Sequence, residues 1–284
     1  MPKSTESTIR LPQRSLRAQR WGDDSLPPVL AVHGWLDNAG SFARVAPLLA
    51  ARHHVIALEL PGHGHSDHLG AGSSYHFLDY VRDVLAVADV LQLARYTLFG
   101  HSLGAGIASM VAAANPERIA RLFLIEGLGP LGDDGSRTLE RFREALTPRS
   151  GNGKRLRVFA SIEQATQARN MVSGLAKELA RPIVERGLVE TQGGWSWRSD
   201  PALTRPSATR LAESQVHALL RGITTSTSLL LAQPATSYLP GCLMRARADC
   251  VPQISVKHMD GGHHLHLEHP QAVADWINAS PPSP

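Results

Sequence analysis

A serine at position 102 lies between two glycines in the string GHSLG, residues 100–104, and this spacing can make the serine a nucleophile. The apolar run 96–99 before it predicts a strand, and the small-residue run 105–111 after it predicts a helix. In a sharp strand-to-helix turn the serine hydroxyl is exposed at the top of a sheet, and glycines relieve the crowding of the backbone. The alternative is a glycine-rich turn in which Ser102 only caps the helix.

A histidine-rich segment, GGHHLHLEHP at 261–270, supplies candidate bases after the strand-like run 254–259. An imidazole can take a serine proton and return it near neutral pH, because its ordinary pKa is about 6.5. His263 and its neighbour His264 both have the required side chain. The histidines of 63–68 and 263–269 also have spacings found in metal sites, but we find no cysteine or carboxylate that completes a tight set. We therefore expect no metal.

Two more turns follow strand-like runs earlier in the sequence: His-Gly-Trp at 33–35 and PGHGHS at 61–66. Taken with GHSLG, GGHHLHLE and the string GGWSWRSD at 193–200, they resemble, in type and order, the serine hydrolase-like branch of the α/β-hydrolase family. The resemblance extends from about residue 8 to residue 279.

The resemblance implies roles for individual residues. Ser102 would attack a substrate carbonyl, and His263 would be the general base, with His264 as the alternative. The backbone amides of Trp35 and Leu103 would form the oxyanion hole.

The acid of the triad departs from the common family pattern. Most α/β-hydrolases carry an Asp after the seventh strand, but no Asp or Glu lies between Glu213 and Asp249. Glu126 instead follows the apolar run 122–125, where a charge is costly unless it is paired, and some family members resemble this arrangement. We predict that Glu126 accepts the Nδ1 proton of His263; the competing interpretation is a strand-end carboxylate that only accepts backbone amides. Alternative acids are Asp133, Asp134 and Asp249.

Strand-like runs alternate with helical patterns, which predicts a mainly parallel sheet covered on both faces. With the resemblance, this predicts an α/β-hydrolase fold of eight strands flanked by helices, with an antiparallel edge pair formed by residues 9–11 and 16–20. The helical patterns are 41–50, 75–92, 103–114 and 270–279. We expect a core of residues 1–127 and 227–284 and, inserted after strand six, a helical cap of residues 128–226. Its helical patterns are 136–146, 162–186 and 211–221.

The predicted cap carries the positive charge of the sequence. Residues 128–226 contain 15 basic and 10 acidic residues, whereas the whole sequence has a formal net charge of +4. This excess either attracts an anionic substrate such as an acyl-CoA or forms a solvated arginine-rich surface. The tryptophans of 193–200 either plug a short loop onto the domain or line the pocket.

The remaining sequence features give no indication of binding to nucleic acid or of crossing a membrane. No dense Lys/Arg run indicates nucleic acid, and no apolar run is long enough to cross a membrane or to act as a signal segment. We therefore expect a cytoplasmic protein in which Cys242 and Cys250 are reduced thiols. The tail 279–284 is expected to be disordered.

The predicted activity is that of a cofactor-independent serine hydrolase that cleaves a small-molecule carboxylic ester through an acyl-enzyme. An acyl-CoA or acyl-carrier thioesterase is the alternative within enzymes. A small-molecule-binding protein with vestigial hydrolase activity is the alternative of another class, and the absence of the usual acid is what favours it.

Overall fold

The computed structural model describes residues 3–70, 72–147 and 157–279. The strands of these residues are β1 Thr5–Leu11, β2 Arg14–Trp21, β3 Pro28–Val32, β4 His54–Leu58, β5 Tyr96–His101, β6 Ile119–Ile125, β7 Leu188–Thr191, β8 Gly194–Trp197, β9 Thr227–Gln233 and β10 Ile254–Asp260. The α-helices are α1 Ala46–Leu49, α2 Phe77–Val90, α3 Leu103–Ala114, α4 Thr138–Leu146, α5 Ile162–Ser173, α6 Lys177–Gly187, α7 Glu213–Leu220, α8 Gly241–Ala248, α9 Leu265–Glu268 and α10 Pro270–Asn278. The predicted disordered tail lies outside the described residues, apart from Ala279.

Eight strands form one sheet in the order β1-β2-β4-β3-β5-β6-β9-β10. The pairs β1·β2 and β2·β4 are antiparallel, and every pair from β4 to β10 is parallel. The mainly parallel eight-stranded sheet is therefore confirmed, and so is the antiparallel pair at its amino-terminal edge.

Both faces of the sheet are buried, as the continuous apolar strands require. Successive side chains of β3 point to opposite faces. Leu30 and Val32 pack in the cluster that includes α2 and α3, whereas Val29 and Ala31 pack in the cluster that includes α1 and α10. The sheet is thus the middle of three layers, with apolar side chains packed on both of its faces.

Residues 128–226, here called the insertion, connect β6 to β9. Their described part adds no strand to the large sheet and contains α4 to α7 and the hairpin β7·β8. The helical pattern predicted over 162–186 does not form one continuous helix. Gly174 ends α5 with φ of 70°, and α6 begins at Lys177. The division into core and cap stays a prediction.

The two tryptophans of the insertion pack inside it. Trp197 meets Phe159 edge to face, with ring centroids 5.5 Å apart. The backbone of Trp195 exchanges two hydrogen bonds of 2.8 Å with Phe159. Both rings border a small apolar cluster built from α5, α6 and β7. Of the two interpretations of this turn, the structure therefore favours the one in which the tryptophans pack the loop onto the rest of the domain.

In the described part of the chain, we find no helix that combines the length and the apolar character needed to cross a membrane.

Candidate active site

Ser102 lies in the turn between β5 and α3 with a strained backbone, φ 53° and ψ −116°. Its N–H donates to the carbonyl of Ile125, 2.9 Å away, which ties the turn to the end of β6. A Cβ on Gly104 would lie 2.0 Å from the carbonyl oxygen of Val32, and one on Gly100 would lie 2.5 Å from the carbonyl oxygen of Gly104. The Ser102 side chain does not cap α3. The turn therefore has the shape expected of a nucleophile and not of a simple helix cap.

Glu126 follows β6 directly, also at positive φ (53°), and its side chain is 2 % exposed. Oε1 accepts a hydrogen bond of 2.6 Å from the amide of Ala232. Oε2 lies 3.1 Å from Nδ1 of His263 and accepts a longer bond of 3.3 Å from the hydroxyl of Thr236. The carboxylate thus binds both a backbone amide and the histidine, so its role is not limited to accepting amides.

The protonation of this pair follows from its contacts. Burial alone would raise the pKa of Glu126, but the hydrogen bonds from His263 and the Ala232 amide outweigh it and hold the pKa below its ordinary value. An ionised acceptor at Oε2 requires that Nδ1 of His263 carry a proton. Nε2 is then the ring nitrogen that can accept a proton.

Sheet register explains why these residues meet although they are distant in sequence. His101 lies opposite Ile125, and Ile125 lies opposite Leu230 on the next strand. Because parallel strands end at the same edge of a sheet, the residues that follow β5, β6 and β10 share that edge. Ser102, Glu126 and His263 are such residues.

The alternative acids lie elsewhere. Asp133 pairs with Arg141, and Asp134 accepts bonds from Ser136. Asp249 is exposed at the end of α8. Among the described residues, none of the three carboxylates contacts His263.

His264 is buried and faces a different carboxylate from His263. Its Nε2 lies 3.2 Å from Oδ2 of Asp37, whose other oxygen accepts a hydrogen bond from Arg169 of α5. The structure therefore brings His263, and not the alternative base His264, to Glu126.

Asp37, His101 and His264 form the one set of donors in the described residues with the composition and spacing of a metal site; their donor atoms lie within 4.8 Å of one another. Burial would raise the pKa of Asp37, but His264 and the guanidinium of Arg169 hold it well below its ordinary value. Burial also lowers the pKa of His101 to about 3. Because Arg169 already supplies the cation that Asp37 needs, the set is better explained as an ion pair between the insertion and the sheet.

His101 was not singled out from the sequence, although it is the second residue of GHSLG. Its Nε2 donates to the carbonyl oxygen of His263, 2.9 Å away. The residue that precedes the serine thus holds the loop that carries the histidine. The sequence signal that could have identified His101 is its position inside the glycine-flanked turn, directly before Ser102.

The amides predicted for an oxyanion hole belong to adjacent segments. Leu103 is the first residue of α3, and Trp35 follows β3, which is the neighbour of β5 in the sheet. In the part of the chain that the structure describes, neither amide donates in a turn, loop or cap. Leu36, beside Trp35, has φ of 59°. These amides are therefore available at the sheet edge that holds Ser102.

Tyr238, in the segment 234–240 between β9 and α8, also reaches the site and was missed in the sequence. Its phenol oxygen lies 2.8 Å from both Nδ1 and Nε2 of His263. The Ser102 hydroxyl is near enough to offset part of the rise in the pKa of the phenol. Since the two ring nitrogens point in divergent directions, an oxygen this close to both lies over the ring face. No direct hydrogen bond joins Ser102 to His263 within the described residues.

Comparison with known proteins agrees with this architecture. The profile of the family described as alpha/beta hydrolase fold matches residues 27–183. A serine hydrolase-like protein of Danio rerio is 30 % identical over 96 % of this chain and 87 % of its own length.

Solved structures are similar over nearly the whole chain. A hypothetical protein from Pseudomonas aeruginosa PAO1 is 40 % identical with a TM-score of 0.90, covering 96 % of this chain and 98 % of its own. A thioesterase domain from the curacin biosynthetic pathway is 25 % identical with a TM-score of 0.83, covering 97 % and 99 %. The chain belongs to the α/β-hydrolase family and, within it, to the serine hydrolase-like branch.

Proposed function

We propose that this hydrolase cleaves a carboxylic ester with Ser102, His263 and Glu126 as its catalytic triad. The observation that carries the proposal is the 3.1 Å contact between Nδ1 of His263 and the buried Glu126 carboxylate, at the sheet edge where the strained turn presents Ser102. A carboxylate in this position fixes the tautomer of the imidazole and stabilises its charged form.

The proposed reaction has two steps. Oγ of Ser102 attacks the ester carbonyl while Nε2 of His263 takes its proton, and the amides of Trp35 and Leu103 donate to the oxyanion. The proton then passes from His263 to the leaving alcohol as the ester bond breaks. In the second step a water gives a proton to His263 and attacks the acyl-enzyme carbonyl. The bond from the carbonyl to Oγ then breaks as His263 returns the proton to Oγ, which releases the acid and restores Ser102.

We also propose that the insertion is a cap that covers this site and excludes water. Arg169 of α5 supports it, because its partner Asp37 also binds His264, the neighbour of the proposed base.

Thioester cleavage is the second candidate, and two observations favour it. The insertion has more basic than acidic residues, and a similar structure is a thioesterase domain. We expect a thioesterase to show a higher kcat/KM for an acyl-CoA than for the p-nitrophenyl ester of the same acid, with a preference that falls as salt screens the charge. The opposite preference at every salt concentration excludes this candidate.

The test of the proposal is labelling with a fluorophosphonate followed by turnover of p-nitrophenyl esters. We expect Ser102→Ala to abolish both, and Ser237→Ala, an exposed serine of the neighbouring loop, to change neither. Turnover that survives Ser102→Ala would rule out Ser102 as the nucleophile.

A further inference from the structure

Tyr238 contacts His263 and lies near Ser102, yet the proposed reaction assigns it no step. Its phenol oxygen lies 2.8 Å from both ring nitrogens of His263, and the Ser102 hydroxyl is near enough to affect the pKa of the phenol. The residue as a whole is 51 % exposed. The ring therefore enters the site from the solvent side.

Contacts of the segment 234–240 hold the Tyr238 ring beside His263 without burying it. Leu239, the next residue, is buried in the core cluster, and its amide donates to the carbonyl of Thr236, 3.1 Å away. Thr236 itself donates to Glu126. The backbone on either side of Tyr238 is thus fixed, whereas its side chain is open to water.

The phenol is neutral at physiological pH. Burial, together with the negative charge of Glu126, raises the pKa of Tyr238 to about 12. The oxygen above His263 therefore carries a proton, like the hydroxyl of an alcohol.

The place of this oxygen, in contact with His263 and near Ser102, bears on how a leaving group can bind. During ester cleavage, the leaving oxygen is bonded to the carbon that Ser102 attacks, and it must receive the proton that His263 holds. The phenol oxygen lies over the ring of His263 and near Ser102, so it occupies space that the leaving group has to enter.

We propose that Tyr238 fills the leaving-group position of the free protein and thereby determines which leaving groups are accepted. The inference rests on the proposed function. An ester binds by displacing the phenol from Ser102 and His263, and the ring then limits the size of the leaving group beside it.

The first test removes only the hydroxyl. With a small fluorophosphonate, we expect Tyr238→Phe to label Ser102 about fivefold faster than the unaltered protein, the effect of removing one competing hydrogen bond. Ser237→Ala, the adjacent exposed residue, is the matched control and should label at the unaltered rate. Labelling that is slowed tenfold by Tyr238→Phe would overturn the proposal, because the hydroxyl would then assist the chemistry.

The second test removes the ring. We expect Tyr238→Ala to raise kcat/KM for 2-naphthyl acetate relative to methyl acetate by about tenfold, since a wider site accepts the larger leaving group. The ratio should not change in Ser237→Ala. An unchanged ratio in Tyr238→Ala refutes the assignment of specificity.

The failure of this inference is distinguishable from the failure of the proposed function. If Ser102 is labelled at one rate in all of these proteins, Tyr238 has no such role and the triad stands. If Ser102 is labelled in none of them, the proposed function fails and the inference fails with it.

Discussion

Three residues around the site have left-handed backbone conformations that side chains other than glycine rarely adopt. Leu36, Ser102 and Glu126 have φ of 59°, 53° and 53°. Each costs on the order of 1–3 kcal/mol and persists only where neighbouring structure imposes it. Here the strand ends impose it: Ser102 is tied to Ile125, and Glu126 donates its amide to the carbonyl of Leu230. Strain of this kind is typical of sites in which side chains are held ready for a reaction.

Glu126→Gln tests whether the buried carboxylate is the catalytic acid. We expect kcat for a p-nitrophenyl ester to fall by roughly three to four powers of ten, because the amide no longer fixes the tautomer of His263 or stabilises its charge. Asp249→Asn is the matched control and should leave kcat unchanged, since Asp249 is exposed at the end of α8. Full activity in Glu126→Gln would instead favour another acid or a non-catalytic pocket.

The buried carboxylate of Asp37 makes the stability of the folded protein depend on pH. Its pKa is lower in the folded protein than its ordinary value of 3.8, so it stabilises the fold above that value. This contribution is lost as the pH falls through the lower, folded-state pKa. We expect the Tm to fall below about pH 4, and Asp37→Asn to be less stable at pH 7 but to lose less Tm on acidification. Parallel Tm curves for the two proteins would contradict this assignment.

Sequence reasoning reached the residues that lie in recognisable strings and missed those that depend on contacts between distant segments. Ser102 and Glu126 both follow apolar runs, so their places at strand ends were predictable. Tyr238 was not, because nothing in the sequence of 234–240 indicates that its side chain turns back over His263. The pairing of Asp37 with Arg169 was missed for the same reason, since 132 positions separate them.

At the scale of elements, the turn at Ser102 depends on the absence of a side chain where α3 meets β3. We expect Gly104→Ala to destabilise the protein by about 3 kcal/mol or more, because the new Cβ would collide with the backbone carbonyl of Val32. Gly70→Ala is the control: Gly70 has open space for a Cβ and no left-handed φ. Urea unfolding measures both variants, and equal midpoints would contradict the close approach.

The helix boundaries show where a prediction from local sequence pattern differs from the structure. The pattern over 41–50 predicts one helix, but the structure has a 3-10 turn at Ala39–Phe42 and the short α1. Pro47 explains the break, since a proline fits only in the first turn of a helix and α1 begins one residue earlier. By contrast, α3 begins and ends where the pattern 103–114 predicts, because small residues let it pack closely on the sheet.

At the scale of the molecule, the positive charge of the insertion has a use that neither sequence interpretation included. Arg186 of α6 binds Glu59, which is fully buried, through its Nε at 2.7 Å, and it also binds Glu6 of β1. Arg169 binds Asp37 in the same way. Part of the excess therefore fastens the insertion to acids beside the large sheet and is not available to attract a substrate.

Two arginines of α6 allow a direct test of this attachment. We expect Arg186→Ala to lower the free energy of unfolding by about 3 kcal/mol, because it leaves the buried Glu59 without its cation. Arg181→Ala should have little effect, since Arg181 pairs with Glu185 at the surface of the same helix. Urea denaturation provides the comparison, and similar losses in the two variants would mean that the buried pair does not anchor the insertion.

The fold was predictable at this scale because alternating strands and helices permit few topologies, and the motifs fixed the order. The attachment of the insertion was not predictable, because charge counts do not say which acid an arginine meets.

Glu126 directly follows β6, a strand in the interior of the sheet, and this has a consequence for which parts of the sequence can change. The segment 234–240 approaches the site but does not carry the carboxylate, so positions of this segment other than Thr236, which donates to Glu126, can be varied without replacing a proton-transfer group. Selection on the range of substrates and selection on the chemical step then act on separate parts of the chain.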